Sequence, residues 1–192
     1  MEHQLINIEK CPVCNHTDYH FWRKGIDHNV SNDTFKIVEC SACGFRFTNP
    51  RPTENTIGNY YKSSNYVSHS GTKKGIINKI YHIVRNKAIQ SKEQLIAKNC
   101  SSSEKKLLDI GCGTGDFLAY CKSKNWHVLG LEPDEDARKI ALNSHQINVH
   151  NLDYLNSIPN ESFDVITMWH VLEHVYNLNE DIQQYKRILK AG

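Results

Sequence analysis

Leu107-Leu108-Asp109-Ile110-Gly111-Cys112-Gly113-Thr114-Gly115-Asp116-Phe117 is the stretch on which the reading of this chain turns. An apolar run stops at an acid and alternate glycines follow, a pattern that predicts a short buried strand, a tight turn and the start of a helix. Glycine lacks a Cβ, so its backbone can take positive φ and lie against a ligand. The free N–H groups at the helix start are then expected to face whatever occupies the crevice. The pattern alone leaves two readings open, a nucleotide-type binding turn and a plain tight turn.

The spacing narrows the ligand. A dinucleotide fold wants G-x-G-x-x-G/A, with the pyrophosphate at the helix N-terminus. This chain instead has Asp109-x-Gly111-x-Gly113-x-Gly115. A carboxylate in front of the first glycine would repel a pyrophosphate but suits a cationic group, so a nucleotide-dependent dehydrogenase is disfavoured. The segment resembles motif I of the class I S-adenosylmethionine-dependent methyltransferases, whose cofactor carries an ammonium and a sulfonium and no phosphate. The resemblance implies that Asp109, Gly111, Cys112, Gly113 and Gly115 line the cofactor. Trp126-His127-Val128-Leu129-Gly130-Leu131-Glu132 reads as the second strand. Its Glu132 falls about twenty residues on, where such folds place a ribose-binding acid, and Pro133 adjoins it.

Further motifs follow in the family's order. Asp134 is a candidate N-cap for a helix with Ala137, Ile140 and Ala141 on one face, and Ile147-Asn148-Val149-His150 reads as a short edge strand. In the family resembled, an acid at the position of Asp153 contacts the adenine amino group, and the next backbone N–H, here that of Tyr154, meets a ring nitrogen. Phe163 to Trp169 reads as another strand, running directly into His170-Val171-Leu172-Glu173-His174-Val175. The resemblance places Met168 and Trp169 beside the methionine end of the cofactor. His170 and His174 become candidate general bases, since an unperturbed imidazole titrates near neutrality; a packing role stands beside that reading. His170-x-x-Glu173-His174 also matches the H-x-x-E-H signature of zinc peptidases, but that motif needs the middle of a long helix. Glu180 to Lys190 predicts a last helix with Ile182, Tyr185, Ile188 and Leu189 on one side.

The N-terminal part has a different design. Cys11-Pro12-Val13-Cys14 and Cys40-Ser41-Ala42-Cys43 are two knuckles separated by a polar, β-leaning stretch. Four thiolates so paired suit a closed, tetrahedral structural zinc with no position left for catalysis; reduced, unliganded cysteines or a redox pair are the alternatives. The chain has seven cysteines, an odd number for a disulfide framework, and Cys100, Cys112 and Cys121 read as semi-buried thiols. Asn49-Pro50-Arg51-Pro52 marks a boundary. Tyr60 to Tyr66 looks like a loop over a site or a packed linker. Ile76, Ile77, Ile80, Ile83, Val84, Ala88, Leu95 and Ile96 predict a long amphipathic helix from Lys74 to Lys98, which in the family packs on the sheet and helps roof the cofactor.

The expected organisation is therefore a zinc-ribbon module over 1–50, a linker and cap helix over 51–104, and a cofactor domain over 105–192. The fold class is α/β, a doubly wound, mostly parallel Rossmann-like sheet beside the small ribbon. A net charge of +2 over 192 residues suggests no extended nucleic-acid surface. No apolar run reaches a membrane span and Met1-Glu2-His3-Gln4 lacks signal-peptide design, so a cytoplasmic setting is expected. The ribbon, the Asn49-Pro50-Arg51-Pro52 segment and the tyrosines look similar to bacterial methyltransferases acting on sugars and other small metabolites, some of which methylate carbon. The implied partner is thus a small-molecule methyl acceptor; the alternative is a non-catalytic ribbon module fused to a cofactor-binding domain. Strand Phe163 to Trp169 is apolar on both faces, as an interior strand is. In the family its outer neighbour follows the position of Gly192. The sequence therefore predicts a truncated methyltransferase with part of the acceptor pocket absent and an exposed edge prone to self-association.

Overall fold

The computed structural model describes residues 4–28, 30–60 and 76–191, the side chains of 76–82 excepted. The chain divides into two compact units, Met1–Thr72 with Tyr176–Asn179, and Lys73–Val175 with Glu180–Gly192.

In the first unit, β2 (Tyr19–Ile26), β3 (Thr34–Cys40) and β4 (Arg46–Thr48) form an antiparallel sheet in that order. β1 (Leu5–Ile6) pairs with β5 (Arg51–Pro52), and α1 (Glu54–Ile57) leads into a 3-10 turn at Gly58–Tyr60. Val38 and Phe47 are cross-strand partners and both buried, so a core this small is completed by the cysteine knuckles. Asn49 is buried as well: its side-chain oxygen accepts the Ile8 N–H at 2.9 Å and its NH2 donates to the Ile8 carbonyl at 3.1 Å. A buried amide used on both ends ties the first knuckle's approach to the end of the sheet. The loop expected over Tyr60 to Tyr66 lies outside the described residues from 61 onward.

The second unit is built on a parallel sheet of β6 (Lys106–Ile110), β7 (His127–Leu131), β8 (Val149–His150) and β9 (Val165–Thr167), in the order β8-β7-β6-β9. Central β6 is buried on both faces. Leu107 joins Ile96, Phe117, Leu118, Cys121, Trp126 and Ile147 on one face, whereas Leu108 and Ile110 join Leu131, Ile158, Phe163, Tyr185 and Ile188 on the other. α2 (Ile76–Asn99), α3 (Asp116–Ser123), α4 (Glu135–His145) and α5 (Leu178–Ile188) complete the helices. The doubly wound α/β architecture expected from the sequence is therefore present, and β8 lies at the expected edge.

Several details differ from the expectation. The inner face of α2 runs through Arg85, Ile89, Lys92, Glu93 and Ile96, while Ile83, Val84 and Leu95 are exposed. Counting apolar residues misplaced this face, because its inward polar groups find partners: the Trp126 indole N–H donates to buried Glu93 at 3.1 Å. Ile140 of α4 is exposed too, leaving buried Ala141 against the glycine turn. Leu189 is exposed beyond the end of α5. β9 has three residues rather than seven. Before it, Asp164 is spent on Lys106, accepting its N–H at 2.8 Å; after it, the chain turns at His170, whose φ is +60°. An isolated bridge stands just ahead of β9, earlier in the chain than the outer neighbour expected after Gly192. Leu189 pairs parallel with Phe163, and the Lys190 N–H reaches the Phe163 carbonyl at 2.9 Å. Among the described residues no helix is long and apolar enough to cross a membrane.

Candidate functional site

The glycine turn sits at the carboxyl end of β6, with φ of +69° at Gly111, +56° at Gly113 and +79° at Gly115. These left-handed conformations are open to glycine at little steric cost, which is why the alternate spacing is needed. Close approach adds a second reason at Gly111, where a Cβ would lie 2.4 Å from Cγ2 of Val171.

Four amides of the turn are directed inward, onto the protein. Gly111 and Cys112 donate to the Leu131 carbonyl at 2.7 and 3.2 Å, Gly113 to the Glu132 carboxylate at 2.9 Å and Gly115 to the Cys112 carbonyl at 3.1 Å. A phosphate cradle presents its N–H groups outward; these are consumed by the protein itself. What the turn offers a ligand is therefore acidic.

Two carboxylates define it. Glu132 is 9 % exposed, and each of its oxygens accepts one backbone N–H, from Gly113 at 2.9 Å and from Asp134 at 3.0 Å. A carboxylate has about four acceptor positions, so lone pairs remain for a ligand. Asp109 is 3 % exposed and accepts the Thr167 hydroxyl at 2.7 Å. Burial pushes its carboxyl up to about 7, opposed by the Thr167 hydrogen bond and by the Lys92 ammonium. Lys92 lies 4.6 Å from the centre of the Trp169 ring, a cation–π distance. Among the described residues the buried Trp169 indole N–H has no acceptor, the kind of donor that a ligand carboxylate would satisfy. Thr167, Lys92 and Gly130 were not singled out in the sequence. Gly130 has a legible cause only in three dimensions, since a Cβ there would meet Cys112 Sγ at 2.6 Å and Leu118 Cδ1 at 2.7 Å.

The remaining candidates are placed as follows. Pro133 follows Glu132 and precedes Asp134, whose side chain caps α4 by accepting the Asp136 and Ala137 N–H groups. Asp153 is exposed on the 3-10 turn Leu152–Ser157. The Tyr154 N–H is spent on the Asn151 carbonyl at 3.1 Å, so it is not free for an adenine nitrogen in this arrangement; its ring stacks on His150 with centroids 4.0 Å apart. Met168 packs on the α5 side and Trp169 meets Phe117 edge to face at 5.8 Å. The His170 side chain is 87 % exposed, with Nδ1 3.9 Å from Glu173. His174 lies on the 3-10 turn Leu172–His174 and is exposed; a peptidase helix is not formed there. A recess of about 1130 Å³ opens at the amino ends of β6 and β7, lined by residues such as Lys106, His127 and Asn148. None of the expected site residues reaches it, and the acidic pair lies at the opposite ends of those strands.

In the first unit, one sulfur from each of Cys11, Cys14, Cys40 and Cys43 lies within 4.8 Å of all the others. Cys11 and Cys43 are 3.6 Å apart and Cys14 and Cys40 3.5 Å, close to the edge of about 3.8 Å that Zn–S bonds of about 2.3 Å give a tetrahedron. The Cys43 N–H, with that of Ala42, holds the Cys40 thiol down to about 6 against the burial that raises it. Cys100 and Cys112 are partly buried and Cys121 fully so.

Comparison with known proteins addresses the same residues. Residues 81–192 match the family model described as a methyltransferase domain. A ubiquinone biosynthesis O-methyltransferase of Saccharophagus degradans is 30% identical over 105 residues, which cover 50% of this chain and 44% of that protein. The corresponding protein of Glaesserella parasuis is 35% identical over 97 residues, 45% of this chain and 41% of that one. The chain thus spans less than half the length of these relatives. Among solved structures, a SAM dependent methyltransferase from Archaeoglobus fulgidus aligns at 25% identity and TM-score 0.44, over 57% of this chain and 54% of that one. The PH0226 protein of Pyrococcus horikoshii aligns at 24% and 0.49, over 55% and 50%. The family match extends over more than half of the residues and takes in β6, the glycine turn, Glu132 and the segment through His174, and on that ground the chain belongs to the methyltransferase-domain family.

Proposed function

We propose that this chain binds S-adenosylmethionine at the carboxyl ends of β6 and β7 and transfers its methyl group to a small-molecule acceptor. The observation that carries the reading is Glu132, held by two backbone N–H groups and facing a turn whose Gly111, Cys112, Gly113 and Gly115 amides are already used. Such a site suits a ligand with hydroxyl donors and positive charge. In this reading Glu132 takes the ribose hydroxyls and Asp109 faces the ammonium. Lys92 and the buried Trp169 N–H meet the carboxylate of the methionine end. Asp153 and the Tyr154 ring flank the adenine. When bound, the cofactor supplies an activated methyl group on sulfonium. The chain's own contribution is alignment and exclusion of water, and His170 or His174 would take a proton if the nucleophile must lose one. The relatives named for ubiquinone biosynthesis favour an oxygen nucleophile.

The four thiolates are proposed to hold one structural zinc, which would leave no open position for chemistry. Residues 1–50 would form this ribbon module, 51–104 a linker with α2 as cap, and 105–192 the cofactor domain. Titration calorimetry with S-adenosylmethionine, S-adenosylhomocysteine and NAD tests the cofactor assignment. Binding of the first two and not the third is expected, and selective NAD binding would overturn it. Transfer of labelled methyl to a panel of phenolic and sugar acceptors then identifies the acceptor class.

A further inference from the structure

β6 and β9 run parallel with Asp109 and Thr167 directly in register. Both side chains are buried, 3 % and 6 % exposed, and the hydroxyl lies 2.7 Å from Asp109 Oδ1. Its other neighbour, the Leu108 carbonyl, is at 3.5 Å. A hydroxyl has one hydrogen to give. It gives it over the short distance when Asp109 is ionised, and it can accept from Asp109, turning its hydrogen toward Leu108, when the acid is neutral.

We infer that Thr167 is a positioning residue that favours the ionised form of Asp109 and so sets the pH range over which the crevice takes a cationic ligand. The inference rests on the reading of the site as one for S-adenosylmethionine. Among the described residues the charged and titratable groups facing Asp109 are Lys92 from α2, Glu132 after β7, the Cys112 thiol in the turn and Cys121 on α3. Lys92 is the cation among them, and Glu132 opposes it. Burial already places the Asp109 carboxyl at about 7 with the Thr167 bond in place. Removing a hydrogen bond to the charged form raises a carboxyl further. At neutral pH the variant site would then hold a proton where the ligand needs a charge.

The test compares wild type, Thr167→Val and Thr167→Ser by calorimetric titration with S-adenosylmethionine from pH 5.5 to 8.5, and by thermal unfolding of the cofactor-free protein at pH 5 and pH 8. Comparing variants cancels the titration of the ligand's own groups. The Val variant should move the midpoint of affinity against pH upward by about one unit, corresponding to about a tenfold loss of affinity below that midpoint. The Ser variant should follow wild type. Without cofactor, the Val variant should lose more melting temperature at pH 8 than at pH 5. A folded acid with a raised pKa holds more protons than the unfolded chain between about pH 4 and 7, so stability falls as pH rises through that range. Without Thr167 the fall extends higher. An unmoved midpoint, or equal losses at the two pH values, would overturn the role of Thr167. If wild type binds no S-adenosylmethionine at any pH, the cofactor reading fails while the unfolding comparison still decides whether Thr167 sets the charge of Asp109.

Discussion

Gly111 and Val171 leave no space between them: a Cβ on the glycine would stand 2.4 Å from Cγ2 of the valine. The glycine turn is thereby locked to the segment that carries His170. Gly111→Ala is expected to destabilise the protein by about 2–4 kcal/mol, combining a left-handed alanine with overpacking. Adding Val171→Ala should recover the packing part and leave the backbone part. Urea unfolding of the single and double variants checks this, and full recovery would show that φ at Gly111 matters little.

Glu132 supports structure, since its carboxylate accepts the Gly113 and Asp134 N–H groups. Glu132→Ala orphans the Gly113 and Asp134 N–H groups. It should cost about 1–3 kcal/mol of stability besides weakening S-adenosylmethionine binding by about 1.5–3 kcal/mol. Glu132→Gln keeps an acceptor and should fall between. Thermal unfolding and calorimetry on the same samples separate the two effects.

His170 is held at φ +60° with its side chain in solvent. A left-handed residue other than glycine costs about 1–2 kcal/mol, and asparagine tolerates this region well. His170→Asn should therefore be at least as stable as wild type yet slower in methyl transfer, with cofactor affinity unchanged. Unaltered turnover in both His170→Asn and His174→Gln would leave the pair without a part in proton removal.

Chelation is expected to strip metal from Cys11, Cys14, Cys40 and Cys43 and to unfold the sheet of β2, β3 and β4, because Val38 and Phe47 form too small a core alone. Amide exchange should rise across residues 11–48 while Leu107 to Ile110 stay protected. Metal analysis finding no zinc in protein prepared without chelator would refute the site.

The sequence by itself settled the features that depend on local rules. Positive φ was legible in Gly111, Gly113 and Gly115, paired thiols in the two knuckles, and the alternation of strand and helix from β6 onward in its apolar runs and in the Asp134 cap. It also singled out Asp109 and Glu132, the two buried acids at the carboxyl ends of β6 and β7. Only the tertiary structure decided where the amides of the glycine turn point, because that depends on the Leu131 carbonyl and Glu132 arriving from a neighbouring strand. The same holds for Thr167, whose hydroxyl matters through its register with Asp109, and for Gly130, which must be bare beneath Cys112 and Leu118. The face of α2 was misjudged at Ile83, Val84 and Leu95, though not at Ile96. A buried polar residue such as Glu93 is invisible to hydrophobic periodicity, since the indole that satisfies it lies 33 residues away along the chain.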